Sequence, residues 1–174
     1  MSVETLKASI RTIPDYPIPG ILFWDVTTLF KNAEALKELS DTLYEYYKDK
    51  GITKIVGLES RGFILGSILA ERLGAGLVLC RKKGKLPAET YSYTYTKEYG
   101  EDTIEIHKDA IEPDDVVLVH DDLLATGGSA NAVLKLLENH KPKQILANFI
   151  IEIDDLGGSK TFPEDVETYS LIHV

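Results

Sequence analysis

The stretch from Val116 to Leu137 constrains the fold of this chain more than any other segment. A run of four aliphatic residues, 116–119, is followed by two aspartates, a Gly-Gly turn and a segment with apolar residues at helical spacing. A short β-branched run suits a strand that is covered on both faces, as in a parallel sheet. Apolar residues that recur every three or four positions predict a helix with one buried face. The stretch is therefore typical of a buried strand with an acidic pair at its end, a tight turn and a helix.

The Gly-Gly turn is a candidate anion site. Residues 126–129 place unpaired backbone N–H groups and two hydroxyls at the N-terminus of the predicted helix, where the positive end of the helix dipole lies. Asp121 and Asp122 would repel a phosphate bound there, unless the ligand also carried a sugar diol that donates to the carboxylates or brought a divalent cation. The residues alone therefore predict a phosphorylated ribose, accompanied by magnesium.

An ordinary βα turn with an N-capping Thr or Ser is the alternative interpretation of a Gly-Gly sequence. The doubled aspartate at the strand end favours a binding site. No Lys follows the glycines, which excludes a Walker A loop, and no G-x-G-x-x-G is present, which excludes a dinucleotide fingerprint.

The composition limits the kind of protein and its partners. A chain of 174 residues with 44% hydrophobic and 27% charged residues is typical of a single globular domain. The net charge of −9 argues against nucleic acid or an anionic membrane as a partner. The only cysteine, Cys80, allows no intrachain disulfide and is interpreted as a core residue. Without signal-peptide blocks or a stretch of transmembrane length, we expect a cytoplasmic protein.

Apolar strands alternate with helices along the rest of the chain, at the spacing of βαβ units. Further strands are predicted at 21–26, 55–58, 76–80, 144–152 and 169–173, the last at the sheet edge. Helices are predicted from Asn32, as N-cap, to about Lys50 and from about Phe63 to Leu73. Alternation at 90–96 and 103–107 predicts a mobile hairpin with little hydrophobic mass of its own. The order predicts an α/β fold with a mainly parallel sheet flanked by helices.

The string from Val117 to Ser129 resembles the phosphoribosyl-pyrophosphate (PRPP) motif of the type I phosphoribosyltransferases. The resemblance extends over some thirteen consecutive positions, and Asp-Asp-Leu-Leu-Ala-Thr-Gly-Gly is most similar to the motif of family members that act on adenine. His120 is a departure, since the family usually carries an apolar residue there. The resemblance extends from about Ile13 to Lys160 and includes three separate loops in family order.

The resemblance implies a reaction in which adenine and PRPP give AMP and pyrophosphate, with Mg²⁺ bound mainly through PRPP and a homodimer as the assembly. It implies one domain, 1–174, in which residues 1–30 form a small hood over the base and residues 88–108 a flexible lid. Two alternatives remain: transfer to another base such as hypoxanthine, guanine or uracil, or a PRPP-sensing regulator without catalysis. An acidic chain with no room for a DNA-binding module before residue 13 favours the enzyme.

The resemblance also assigns roles to individual residues. The ribose and 5′-phosphate of PRPP and AMP are assigned to Asp121, Asp122, Ala125, Thr126, Gly127, Gly128 and Ser129. Pyrophosphate is assigned to Glu59, Ser60, Arg61, Gly62, Arg81 and Lys85, and the base to Leu22, Phe23, Trp24 and Leu123. The catalytic residues are Arg61 and the lid residue Glu98, and no side chain is assigned as a direct metal ligand.

The assignments of Arg61 and of the basic run 81–85 to pyrophosphate depend on the resemblance. Taken alone, Arg61 would be a surface salt-bridge partner, and the basic run 81–85 would be a solvated face. The family loop that matches 59–62 also implies a cis peptide bond between Glu59 and Ser60. Trp24 stands where the family most often has Arg, so the base would be read there by main-chain groups.

Overall fold

The computed structural model describes residues 2–97 and 100–174. Contacts between Cα atoms divide the chain into two compact units, Met1–Glu45 and Tyr46–Val174. The strands are β1 (Arg11–Pro14), β2 (Leu22–Asp25), β3 (Lys54–Leu58), β4 (Gly76–Lys82), β5 (Thr90–Lys97), β6 (Gly100–His107), β7 (Val116–Leu124), β8 (Gln144–Glu152) and β9 (Glu167–His173). The α-helices are α1 (Val3–Ala8), α2 (Thr27–Phe30), α3 (Ala33–Tyr47), α4 (Gly62–Leu73) and α5 (Gly128–Leu137), and short 3₁₀ helices cover Asp154–Leu156 and Gly158–Thr161.

The first unit contains a two-stranded antiparallel sheet of β1 and β2. An ion pair joins the strands, because Arg11 Nε donates to Asp25 Oδ2 over 2.9 Å. The other oxygen of Asp25 accepts from the N–H of Thr27 over 3.0 Å and from its hydroxyl over 2.6 Å. These contacts hold the pKa of Asp25 at about 2, chiefly through the Thr27 hydroxyl and Arg11. The predicted strand at 21–26 is confirmed as β2.

The second unit contains a seven-stranded sheet in the order β5-β6-β4-β3-β7-β8-β9. Strands β4, β3, β7, β8 and β9 run parallel. Strand β6 pairs antiparallel with β4, and β5 pairs antiparallel with β6 at the edge of the sheet. The mainly parallel sheet and the edge position of the last strand are confirmed. Adjacent residues of a strand face opposite sides of the sheet. In β3, Ile55 lies beside α4, whereas Val56 belongs to the core cluster that contains the apolar face of α5.

The predicted helix boundaries are correct at their starts. Asn32 Oδ1 accepts from the N–H groups of Glu34 and Ala35 over 3.0 and 3.1 Å, so it caps α3 as expected. The helix ends at Tyr47 rather than at Lys50. Among the described residues, no helix has the length and apolarity needed to cross a membrane.

Two expectations about strands were wrong. Strand β7 continues through the acidic pair to Leu124, because pairing with β8 extends to Leu124 opposite Glu152. The β5–β6 hairpin is not poor in hydrophobic contacts, since Ile104 and Ile106 are buried in the core cluster. Cys80 is a core residue as expected, and burial raises the pKa of its thiol to about 12.

Candidate active site

The carboxyl ends of β3, β4 and β7 meet at one edge of the sheet, where open α/β folds bind their ligands. A cavity of about 220 Å³ there, called the turn cavity below, is lined by Arg61, residues 121–130 and Phe149. A neighbouring cavity of about 430 Å³, called the basic cavity, is lined by Glu59, Ser60, Arg61, Lys82, Lys85, Asp121 and Asp122. Three residues line both cavities, so the structure brings most of the predicted PRPP residues together.

The Gly-Gly turn has the geometry of an anion site. Gly127 is the N-cap of α5 with φ of 84°, and no side chain caps the helix. The first N–H groups of an uncapped helix have no intrahelical partner, so those of Gly128 and Ser129 are left for a ligand. The left-handed φ is one that glycine adopts without strain. The turn thus presents backbone donors to the turn cavity.

The short helix Gly158–Thr161 packs directly against Gly127 of this turn and is called the backing loop. A Cβ on Gly127 would lie 2.8 Å from both the Gly158 carbonyl oxygen and Thr161 Oγ1. Thr161 Oγ1 donates to the Gly158 carbonyl over 2.6 Å, and Asn131 Nδ2 donates to Thr161 Oγ1 over 2.6 Å. The sequence assigned none of these residues to the site, although residues 156–160, which include the Gly157-Gly158 pair, loosely resemble a turn of the family.

In the acidic pair, Asp122 is buried and forms an ion pair with Arg61, and Asp121 beside it is half-buried. Asp122 is 3% exposed, and Arg61 Nε donates to its Oδ2. Asp121 Oδ1 accepts from the N–H of Asp122 over 2.9 Å. Burial, followed by the charge of Asp122, raises the pKa of Asp121 well above its usual value. A cation or a hydroxyl-donating ligand at this position would stabilise the ionised form of Asp121 and lower its pKa.

A close contact fixes Arg61 beside the pair. A Cβ on Gly62 would lie 2.7 Å from the His120 carbonyl oxygen, so the N-terminus of α4 lies directly against β7. The peptide bond between Glu59 and Ser60 is cis, as predicted. The loop between β3 and α4 therefore positions Arg61 at the edge of both cavities and Ser60 at the basic cavity.

In the basic segment 81–85, which begins within β4, the predicted pyrophosphate residue Arg81 is bound by other groups of the protein. Arg81 donates to Glu59 Oε1 over 3.4 Å and to the Lys85 carbonyl over 3.2 Å. The N–H of Lys82 donates to Glu59 Oε2 over 2.8 Å, and this bond, with Arg81, lowers the pKa of Glu59. Lys82 and Lys85 line the basic cavity. Lys82 was not among the predicted site residues, although the run of basic residues contained it.

His120 is a neutral core residue behind the acidic pair. Its Nδ1 lies 2.8 Å from Asn148 Oδ1, and Asn148 Nδ2 donates to the Tyr169 carbonyl over 3.0 Å. Because the amide of Asn148 is oriented by Tyr169, its oxygen accepts from Nδ1–H of His120. Burial lowers the pKa of His120 to about 4, so the imidazole carries no charge at neutral pH.

The residues predicted to contact the base fall into both units. Leu22, Phe23 and Trp24 lie on β2 in the first unit, and Leu123 lines the turn cavity in the second. Because the first unit has a two-stranded sheet, one edge of β2 carries main-chain groups without a strand partner among the described residues. Phe23 packs edge-on against Tyr16, with ring centroids 5.1 Å apart. The predicted catalytic Glu98 lies outside the described residues.

Asp121 and Asp122 are adjacent carboxylates in the turn cavity and the basic cavity. Within residues 2–97 and 100–174, no group of three His, Cys, Asp or Glu side chains could hold a metal ion. A Mg²⁺ ion here would need to take most of its oxygen ligands from the substrate and water, with Asp121 and Asp122 as nearby hard donors.

Comparisons with known proteins give a consistent result. The model of the phosphoribosyl transferase domain matches residues 25–169. The adenine phosphoribosyltransferase of Phocaeicola vulgatus is 65% identical over 172 residues, which cover 99% of each chain. Two solved structures of adenine phosphoribosyltransferases are also similar over nearly their whole length. That from Rhodothermus marinus has a TM-score of 0.92 at 48% identity, covering 99% of this chain and 98% of that one. That from Giardia lamblia, complexed with 9-deazaadenine, has a TM-score of 0.94 at 42% identity, covering 100% and 98%.

Proposed function

The chain belongs to the adenine phosphoribosyltransferase family, and from that premise we propose that it transfers the 5-phosphoribosyl group of PRPP to adenine, giving AMP and pyrophosphate. This is a reaction of purine salvage. The observation that carries the proposal is the uncapped N-terminus of α5, which shares one cavity with two carboxylates and Arg61. That arrangement combines donors for a phosphate with acceptors for sugar hydroxyls.

The turn and the acidic pair would hold the phosphoribosyl group. The 5′-phosphate accepts from the N–H groups of 126–129 and from the hydroxyls of Thr126 and Ser129. The ribose hydroxyls donate to Asp121 and Asp122. Such bonds favour the ionised form of Asp121, whose pKa is raised by burial and by Asp122 in their absence.

The basic cavity would hold the departing pyrophosphate. Arg61, Lys82 and Lys85 line it and supply positive charge where negative charge develops on the leaving group. Glu59 engages Arg81 and the N–H of Lys82, which supports a role for Glu59 in holding the basic segment in place. Mg²⁺, bound to the phosphate oxygens of PRPP, would add charge neutralisation there, with Asp121 and Asp122 as oxygen donors on the protein side.

Glu98 on the lid is proposed to handle the proton of adenine as N9 attacks the anomeric carbon. Proton transfer to or from a positioned carboxylate contributes to catalysis when the carboxylate is within hydrogen-bond reach of adenine. Closure of the lid would exclude water from the oxocarbenium-like centre.

Adenine is proposed to be read by main-chain groups of β2, with Phe23 against the ring. Adenine offers an N6 donor beside an N1 acceptor, and hypoxanthine offers the reverse pair, so a backbone C=O and N–H distinguish them. If this holds, Trp24→Ala leaves the ratio of kcat/KM for adenine over hypoxanthine nearly unchanged. A ratio that collapses toward unity would assign base selection to the indole instead.

A homodimer is proposed on the basis of an exposed apolar surface. Leu77 and Leu79 share one face of β4 and are 38% and 37% exposed, and Ile64 on α4 is 41% exposed. Arg81 follows on the same face of β4, so a partner covering this surface would lie beside the basic segment. Sedimentation velocity of the wild type and of Leu79→Lys tests this: the wild type is expected as a dimer and the variant as a monomer.

One assay tests the overall proposal. We expect AMP from adenine, PRPP and Mg²⁺, and little or no nucleotide from hypoxanthine, guanine or uracil. Faster turnover of another base would identify a different phosphoribosyltransferase. No turnover with any base, together with measurable PRPP binding, would identify a PRPP-sensing regulator.

A further inference from the structure

A hydroxyl pair connects the lid strand to the candidate phosphate site. Strand β5 carries Tyr91, Tyr93 and Tyr95 at alternate positions, and therefore on one face. Tyr95 Oη lies 3.1 Å from Oγ of Ser129, in the first turn of α5. At the other end of the strand, the ring of Tyr91 meets the ring of His140, just past the end of α5, at 5.0 Å. Strand β5 thus lies along the helix whose N-terminus forms the Gly-Gly turn.

The ring of Tyr95 is held in place independently of its hydroxyl. Tyr91 and Tyr95 both pack against the core cluster of the second unit. Tyr95 and Ser129 also line a small cavity of about 70 Å³ together with Asp121 and Lys82. Asp121 and Ser129 line the turn cavity as well, so the pair stands directly beside the candidate binding site.

We propose that Tyr95 is a positioning residue for the 5′-phosphate and couples phosphate binding to the docking of strand β5. This inference rests on the proposed function, which places the phosphate at Ser129. Each hydroxyl has one proton and two acceptor lone pairs. When Tyr95 donates to Ser129 Oγ, the single proton of Ser129 is free to be donated to the phosphate.

The phosphate strengthens this chain of hydrogen bonds. A bond from Ser129 to an anionic oxygen is charge-assisted, and it polarises the serine oxygen as an acceptor for Tyr95. Binding of the phosphate therefore stabilises the contact between β5 and α5. By linkage, a docked β5 increases the affinity for the phosphate by the same factor. The lid strand would then respond to the part of the substrate farthest from the bond that breaks.

Tyr95→Phe tests the proposal, because it removes the hydroxyl and keeps the packed ring. The matched control is Tyr93→Phe, on the same face of the same strand but 37% exposed. AMP affinity measured by calorimetry is expected to fall about 3- to 10-fold in Tyr95→Phe, the range of one neutral hydrogen bond, and to stay unchanged in Tyr93→Phe. In a Ser129→Ala background, Tyr95→Phe should change AMP affinity less than 2-fold.

Hydrogen exchange of the β5 amides gives a second readout. AMP should increase their protection in the wild type and in Tyr93→Phe, and should do so clearly less in Tyr95→Phe. If the wild type binds AMP in a Ser129-dependent way but Tyr95→Phe binds it as tightly, the coupling is refuted and the phosphate site stands. The coupling is also refuted if Tyr95→Phe reduces AMP affinity by the same factor in the Ser129→Ala background as in the wild type, since the effect would then not pass through Ser129. If Ser129→Ala leaves AMP affinity unchanged, the phosphate assignment fails and the inference with it.

Discussion

Replacing Gly127 with alanine tests whether the backing loop fixes the shape of the Gly-Gly turn. The residue has φ of 84°, and a left-handed conformation costs an alanine about 1–2 kcal/mol. A Cβ would lie 2.8 Å from the Gly158 carbonyl oxygen and from Thr161 Oγ1. The threonine side chain can rotate away, but the carbonyl belongs to the backbone, so the backing loop itself must move.

The size of the effect follows from these two costs. Movement of the backing loop disturbs the bonds of Thr161 to Gly158 and of Asn131 to Thr161, which are worth about 1 kcal/mol each. With the backbone strain, the total is about 2–4 kcal/mol. For a chain of this length, each 1 kcal/mol lowers Tm by roughly 2–4 °C, so we expect Gly127→Ala to lower Tm by about 4–16 °C.

Gly128→Ala is the matched control one residue further on. The nearest atom to a Cβ there is Thr126 Oγ1 at 3.8 Å, an ordinary contact, and the residue is the first of α5. Alanine in a compatible helical position stabilises by about 0.4–1 kcal/mol, so Tm of the ligand-free protein should stay equal or rise slightly. Thermal unfolding by circular dichroism measures both variants. Equal Tm values for the two alanine variants would refute the idea that the backing loop constrains the turn.

Three further predictions concern charge. Asp121→Asn and Asp122→Asn should each weaken PRPP binding by about 1–3 kcal/mol through loss of charge-assisted hydrogen bonds, and calorimetry that finds parental affinity in both would make the pair structural. Glu98→Ala should lower kcat by roughly 10²–10⁴-fold with a smaller effect on KM, whereas an unchanged kcat in steady-state assays would leave Glu98 an ordinary loop residue. The pKa of Asp25 is lowered from 3.8 to about 2 in the folded state, so its ionised form stabilises the fold above the unfolded pKa, and this contribution disappears as pH falls through about 2. Asp25→Asn should therefore reduce the free energy of unfolding by about 1 kcal/mol at pH 7, after allowing for solvent around the half-exposed Arg11, and by progressively less between pH 4 and pH 2; urea titrations showing a pH-independent loss would contradict this.

Local patterns in the sequence were sufficient to predict most of the elements and the Gly-Gly turn at the start of α5. The aliphatic run and the spaced leucines predicted β7 and α5, because apolar periodicity reflects which faces are buried. Asn32 predicted the start of α3, because a capping side chain acts on the next few residues. The Gly-Gly turn predicted the anion site, since a left-handed N-cap needs a residue without a Cβ. Each of these signals is complete within a few positions of the chain.

Only the tertiary structure decided which side chains from distant parts of the chain contact one another. The pairs Glu59–Arg81, His120–Asn148, Asn131–Thr161 and Tyr95–Ser129 are separated by 22, 28, 30 and 34 residues. Adjacent residues of β4 face opposite sides of the sheet, so the pleat and register of the strand decide that Lys82 lines the basic cavity while the side chain of Arg81 is engaged by Glu59. Register is set by pairing with distant strands and not by the local sequence. For that reason the sequence determined what kind of site the chain builds, whereas the fold determined which side chains support it.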